Sequence, residues 1–169
     1  NPSVSLTADV PSLNAMGFSL KNLIAELSGN TSSINLKNVK ANVEGTELTA
    51  KGSIQITPSM KVNITLNGNN INLEQLLKDN PAMKGKLSGI AGLTFTVTGN
   101  EKAVTGKGSL TSKTLKAFGL NLSDINLPLS FSGSTFASRG GTAKLYGGNA
   151  KNTLTFDTAS MKFTDEITA

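Results

Sequence analysis

Few side chains in this sequence could do chemistry, and their spacing does not bring them together. The chain of 169 residues contains neither histidine nor cysteine. The common zinc sites, Ser-His triads and thiol nucleophiles therefore cannot be built from it. Glu44 and Glu47 flank a Gly-Thr turn and diverge, while Asp165 and Glu166 are neighbours near the end, so no carboxylate pair has the spacing of an acid–base site. We predict that the segment is not an enzyme and uses neither a cofactor nor a metal.

Two glycine-rich stretches look like binding loops only superficially. GNEKAVTGKGS, residues 99 to 109, has the glycines and lysines of a phosphate loop but not the G-x-x-x-x-G-K-[ST] spacing, and a hairpin turn at GNEKA is the favoured interpretation. ASRGGT, residues 137 to 142, contains the only arginine, and an exposed turn is favoured there over a contact with a lipid head group. The only tyrosine, Tyr146, is expected to be half-buried at a sheet rim.

The net charge of +5 is carried by lysines that are interspersed with serine, threonine and asparagine rather than clustered. This distribution favours a solvated face and protected sheet edges over attraction to an anionic membrane surface. Basic patches interleaved with aromatic residues, which nucleic-acid-binding proteins use, are missing. We therefore predict no nucleic-acid partner.

Three related stretches indicate which elements must position these side chains. LKNLIAEL (20–27), LKNVKANV (36–43) and LSDINLPL (122–129) keep apolar residues at their first, fourth, sixth and eighth positions. The last three of these positions have the period of a strand, and Pro128 argues against a helix. The three-residue step before them predicts a β-bulge, which adds one residue and keeps the same face apolar. All three stretches are thus predicted to be bulged strands, with Ile24 exposed or at an edge.

Alternating apolar residues recur along most of the rest of the chain, which is typical of strands joined by short turns. They include Val4 to Val10, Leu48 to Ile56, Val62 to Leu66, Leu87 to Val97 and Ile125 to Phe131. The stretch NINLEQLLKDNPAMKG, residues 70 to 85, interrupts them and predicts a helix of about two turns, with Asn72 as its N-cap and Gln75 at the third helical position. The apolar face of this helix consists of Leu73, Leu76 and Leu77.

The predicted fold is all-β: a long, curled antiparallel meander sheet, forming an open groove or a partly closed barrel, with one short helix. Residues 1–169 are expected to be a single β-rich segment of a larger protein, with internal repeats at about 18–80 and 81–169. The chain begins with Asn1 rather than Met, which suggests a processed or excised segment. No apolar run approaches the roughly 20 residues of a membrane span.

A meander with one apolar face must cover that face, because leaving it wet costs roughly 25 cal/mol per Å². It can close into a barrel, pack on a second sheet, or form an open trough whose lining is covered by lipid chains. Patterning alone favours an ordinary β-sandwich core over the trough. The predicted lining of such a trough consists of Val39, Ala41, Val43, Leu48, Ile54, Ile56, Val62, Ile64, Leu66, Leu93, Phe95, Val97, Leu127, Leu129 and Phe131.

A family resemblance shifts this balance towards the trough. The order of LKNVKANVEG, ELTAKGSIQI, KVNITLNG and NINLEQLL resembles the repeat unit of the AsmA-like family, in which paired strands lead into a short polar turn of helix. MKGKLSGIAGLTFTVTGNEKAVTGKGSL resembles that family's glycine-bearing strand pair, and KLYGGNAKNTLTF, residues 144 to 156, is similar to its recurrent glycine signature. The resemblance covers roughly residues 18 to 158 and lies in spacing and glycines rather than in reactive side chains.

The resemblance implies a bacterial envelope protein that is anchored in the inner membrane, with a periplasmic part built of repeated β-grooves similar to those of bridge-like lipid transfer proteins. The implied function is phospholipid conduction towards the outer membrane, in support of its assembly and integrity. The implied partners are phospholipid acyl chains, together with the inner and outer membrane surfaces or envelope proteins. The sequence departs from the family in carrying no anchoring helix. The alternative interpretation is a surface adhesin or a carbohydrate-binding β-sandwich module.

Overall fold

The computed structural model describes residues 3–15, 18–79, 84–157, 159–160 and 162–168. The elements in this part of the chain are β1 (Val4–Ala15), β2 (Phe18–Gly29), β3 (Ser33–Val43), β4 (Thr46–Gln55), β5 (Lys61–Asn72), α1 (Leu73–Leu76), β6 (Leu87–Asn100), β7 (Val104–Ala117), β8 (Leu120–Ser132), β9 (Thr135–Leu145), β10 (Gly148–Asp157) and β11 (Lys162–Thr168). The eleven strands form one sheet in which each strand pairs with its neighbours in sequence. The sheet is antiparallel and is not closed, so the predicted all-β meander is confirmed.

Because successive strands run in opposite directions, their connections alternate between the two long rims of the sheet. The helix rim, as we name it, carries α1 and the turns Glu44-Gly45, Phe118-Gly119 and Tyr146-Gly147. The opposite rim carries the connections at residues 30–32, 56–60, 101–103 and 133–134. Both residues of each two-residue turn on the helix rim have positive φ, for example 50° at Phe118 and 85° at Gly119. This is the conformation of a type I′ hairpin turn, which matches the twist of the strands that it joins.

The bulges predicted in the three related stretches are confirmed. Asn22 in β2 and Asp124 in β8 have φ values of 50° and 49°, and the strand register shifts beside each of them. In β3 the register shifts between Leu36 and Val39. The first stretch is therefore a strand despite its helix-like spacing, and Ile24 is exposed, as predicted.

The two glycine-rich stretches have different structures. GNEKA is a hairpin turn, as predicted, and the Oδ1 atom of Asn100 accepts hydrogen bonds from the backbone N–H groups of Lys102 and Ala103 at 2.9 and 3.2 Å. The exposed turn predicted at ASRGGT is wrong, because these residues lie inside β9. Gly140 has a φ of 71°, and the pairing with β10 skips it, which makes it a bulge.

The helix α1 is shorter than predicted, with four residues instead of about two turns. The Asn72 side chain caps it as predicted, because its Oδ1 accepts a hydrogen bond of 3.1 Å from the Gln75 backbone N–H. Leu77 already leaves the helical conformation, and its N–H bonds to the Leu73 carbonyl at 3.0 Å, which ends the helix. The predicted stop at residues 80–81 lies outside the described residues. Among the described residues there is no helix with the length and hydrophobicity of a membrane span.

The compact apolar core lies under α1, next to the helix rim. Its buried members come from α1 and from β5, β6, β7 and β8, and other apolar side chains, including that of Leu76, pack around them. A helix of one turn has little stability of its own, so this packing holds it in place. The buried members of the core are Ile71, Leu73, Ala91, Leu115 and Ile125.

Candidate functional site

A continuous row of apolar residues crosses the sheet from β1 to β10. Each member lies directly opposite the next in the neighbouring strand, and such pairs share one face of a sheet. Every member is apolar or glycine. The apolar row, as we name it, consists of Leu6, Leu27, Leu36, Gly52, Ile64, Val97, Gly106, Phe131, Phe136 and Phe156.

The predicted lining residues lie in the apolar row or next to it on the same face, which we call the apolar face. Val39 pairs with Ala50, which pairs with Leu66, and Leu66 in turn pairs with Phe95. A further row passes through Leu48, Gly68, Leu93, Leu110 and Leu127. The structure thus brings the predicted lining together, with one exception. Ile56 lies just beyond the end of β4, at the opposite rim.

The apolar face is largely uncovered. Leu66, in the middle of the sheet, retains 37% of its accessible surface, and Leu6 near the edge retains 56%. Of the predicted lining residues, only Ala41 and Val43 are buried. The core of a β-sandwich would be buried by a second sheet, but all the strands of the described chain belong to the one sheet. Most of the predicted lining is therefore half-buried by neighbouring side chains of its own sheet, and Leu66 and Ile56 are exposed.

The other face of the sheet is polar across the same strands. Serine, threonine and asparagine side chains line it, and Thr65 and Thr96 share a hydrogen bond of 2.9 Å between their hydroxyl groups. A second bond of 3.1 Å joins the Thr94 hydroxyl to the Asn67 side chain. One complete row on this polar face consists of Ser5, Ser28, Asn35, Ser53, Asn63, Thr98, Thr105, Ser132, Thr135, Asp157 and Lys162. The sheet thus has one apolar face and one polar face.

Glycines let large side chains lie flat on the apolar face. A Cβ atom at Gly106 would overlap ring atoms of Phe95, so the Phe95 ring covers this glycine. In the same way, a Cβ atom at Gly68 would be 2.5 Å from a methyl carbon of Leu48. Gly106 pairs with Val97 in the neighbouring strand, so the Phe95 ring reaches this glycine diagonally, from two residues along β6. Ring and methyl groups thus fill the space above these two glycines.

Charged groups lie away from the apolar row. Lys78 and Glu44 form an ion pair of 2.7 Å at the helix rim, and the hydrogen bond to Glu44 raises the pKa of Lys78. At the end of β10, the backbone N–H of Ser160 and then the Ser134 hydroxyl donate to the Asp157 carboxylate, which lowers its pKa to about 2. Among the described residues, no three acidic side chains come together as a metal site would require. These groups stabilise turns, and they leave the apolar face as the candidate site.

Several members of the apolar row are absent from the predicted lining, although their alternation was visible. Leu6 belongs to the alternating run at the start of the chain, and Leu27 and Leu36 belong to the related stretches. Phe136 and Phe156 extend the row into β9 and β10, and the Phe136 ring lies against that of Phe131 with a centroid distance of 4.5 Å. Alternation identifies the face of a strand, but only the turn lengths align one strand with the next.

No protein-family model, no curated protein and no solved structure matches this chain. Any function must therefore be inferred from the geometry of the sheet, and the resemblance to the AsmA-like family stays a prediction.

Proposed function

We propose that the apolar face binds phospholipid acyl chains and conducts them. In this proposal the segment is a periplasmic β-groove of an AsmA-like protein. The whole protein is anchored in the inner membrane and contributes to outer-membrane assembly and integrity. The observation that carries the proposal is the uninterrupted apolar row from β1 to β10, on a face that no second sheet of the described chain covers. Acyl chains need apolar contact and no directed hydrogen bonds, which is what this face offers. Head groups would remain in water beside it.

The dimensions of the row support conduction over the capture of one small ligand. Its nine gaps between strands, at about 4.8 Å each, give a length of roughly 43 Å along the sheet. One leaflet of a bilayer has a hydrocarbon thickness of about 15 Å, half that of the whole apolar core. The row is thus about three times as long as one acyl chain in a leaflet. Several chains could lie on it in succession, and a chain could move along it without leaving apolar surroundings.

The filled space above these glycines also supports a sliding ligand. The Phe95 and Leu48 side chains occupy the gaps over Gly106 and Gly68, so neither gap can hold a ligand at one point. Each buried methylene contributes about 0.8 kcal/mol. An acyl chain that moves by one methylene exchanges one such contact for an equivalent one. The binding free energy is then nearly constant along the row, which is the condition for transport without a catalyst.

Photocrosslinking with a diazirine-bearing phospholipid tests the proposal. Purified segment should crosslink to the acyl chain, and native mass spectrometry should detect bound phospholipid. Ile64→Asp and Phe95→Asp place a charge on the apolar face and should abolish the crosslink. Asn63→Asp, on the adjacent residue that faces the other side and is exposed, should leave the crosslink intact.

Circular dichroism should first establish that each variant keeps the strand content of the parent protein. Equal crosslinking in folded Ile64→Asp, Phe95→Asp and Asn63→Asp proteins would exclude the apolar face as the binding surface. Absence of any crosslink in the parent protein would refute lipid binding itself.

A further inference from the structure

Two aromatic side chains project from neighbouring turns on the helix rim. Phe118 joins β7 to β8 and is 63% exposed, while Tyr146 joins β9 to β10 and is 83% exposed. The prediction that Tyr146 is half-buried is therefore wrong, because the turn places it at the tip of a hairpin. Since β8 pairs with β9, the two tips are about 10 Å apart along the rim.

Stability of the fold does not explain these two aromatic residues. Each occupies the first position of a type I′ turn with a φ near 50°, where asparagine, aspartate and glycine are favoured. A bulky residue in this region of φ is uncommon, and these two side chains gain little burial to offset the strain. The equivalent turn between β3 and β4 carries Glu44, which forms an ion pair with Lys78. An exposed aromatic residue in a strained position indicates a contact with something outside this chain.

The same part of the rim is basic. Lys86 lies next to the Phe118 turn, because its carbonyl oxygen accepts a 2.7 Å hydrogen bond from the Phe118 backbone N–H. Lys116 stands near the end of β7, and both side chains are exposed. The ion pairs found among the described residues are Lys78–Glu44 and Lys144–Asp124, so neither Lys86 nor Lys116 takes part in one.

A hollow of about 460 Å³ opens beside the Tyr146 turn, over the adjoining ends of β6 to β9, and its size is within the range of small-molecule sites. Lys116, Lys144 and Tyr146 stand around it, together with polar side chains that can donate hydrogen bonds. These polar residues are Ser88, Thr114, Asn121 and Ser123. Ammonium, hydroxyl and amide donors around one hollow suit a phosphate group of a lipid.

We propose that the helix rim between β6 and β10 docks onto an anionic lipid bilayer, with Phe118 and Tyr146 in the head-group layer and Lys86 and Lys116 facing lipid phosphates. Tyrosine is enriched at this level of a membrane, phenylalanine adds apolar contact at the boundary with the acyl chains, and lysines near an anionic surface add attraction. The docking does not require lipid in the groove. It would hold one long rim of the apolar face against a bilayer.

Cosedimentation with vesicles tests the docking. The protein should bind vesicles of phosphatidylcholine mixed with phosphatidylglycerol and should bind phosphatidylcholine vesicles much more weakly. The Phe118→Asn/Tyr146→Asn variant should weaken binding roughly tenfold or more, because two rings lose their contact with lipid. Asparagine suits both turns, so this variant should fold at least as well as the parent.

A matched control uses the opposite rim, where Ile56 and Met60 are 44% and 41% exposed. Ile56→Asn/Met60→Asn should bind as the parent does. Lys86→Gln/Lys116→Gln should weaken binding roughly fivefold for each lysine removed. Equal losses in the two asparagine variants, or equal binding to both kinds of vesicle, would overturn the proposal.

Tyr146 reports its own position, since the chain has one tyrosine and no tryptophan. Its fluorescence should be quenched by vesicles that contain brominated phospholipid, and unchanged fluorescence would place the tip outside the bilayer. The two proposals can fail separately. Ile64→Asp should lose acyl-chain crosslinking while it retains vesicle binding. The Phe118→Asn/Tyr146→Asn variant should lose vesicle binding but still crosslink to phospholipid that is presented in detergent.

Discussion

Replacing Gly106 by alanine should destabilise the sheet only while Phe95 is present. The new Cβ would overlap the far end of the Phe95 ring, so the ring must leave its place over β7. Overpacking of this kind costs about 1–3 kcal/mol of unfolding free energy. Because Phe95 is half-buried rather than buried, we expect a value of about 1–2 kcal/mol.

In a Phe95→Ala background, Gly106→Ala should instead raise the unfolding free energy. The space above residue 106 is then open, and alanine in a strand is about 0.5–1 kcal/mol better than glycine because it restricts the unfolded chain. The coupling energy between the two positions should therefore be on the order of 2 kcal/mol. Urea unfolding of the four proteins, followed by circular dichroism, measures it. Equal effects of Gly106→Ala in both backgrounds would show that the Phe95 ring does not lie over this glycine.

Two further predictions concern the core under α1 and the end of β10. Leu73→Ala should lower the unfolding free energy by about 2–4 kcal/mol, because this buried side chain anchors α1 to the core. As a control, Glu74→Ala at an exposed position should cost less than about 1 kcal/mol. Similar losses for the two variants in urea unfolding would contradict this account of the core. The pKa of Asp157 is lowered from 3.8 to about 2 by its hydrogen bonds, so their contribution is present above pH 3.8 and lost as the pH falls towards 2. The difference in thermal midpoint between the parent and Asp157→Asn should therefore shrink below pH 4, and a difference that stays constant down to pH 2 would exclude this role.

The sequence predicts the faces of the strands better than their ends. In LSDINLPL, the step from Leu122 to Ile125 can keep one face apolar only through a bulge, and the bulge is at Asp124. The same spacing occurs from Gly68 to Ile71, but the apolar pattern does not predict the bulge at Asn70 because a glycine occupies the first apolar position. A glycine carries no hydrophobic signal, so the pattern is incomplete there.

Turn-forming residues in and after β9 do not by themselves locate the turns, for a physical reason. Arg139-Gly140-Gly141 has the composition of a turn, yet the pairing of Arg139 with Thr153 and of Gly141 with Asn152 keeps it inside a strand. A glycine with positive φ serves a turn and a bulge equally well. The neighbouring strand decides between them, and its alignment is not visible locally. The exposure of Tyr146 depends on the same kind of alignment.

The bulges also explain how one sheet can have both a folded core and an open apolar face. Asn70 precedes Ile71, and Asp124 precedes Ile125, so bulges lie beside two buried members of the core. A bulge bends its strand and increases the local twist. At this level Leu73 of α1 packs with the residues beside the bulges and completes the core. Burial there stabilises the sheet, and residues such as Leu66, further from the bulges, can then stay uncovered without loss of the fold.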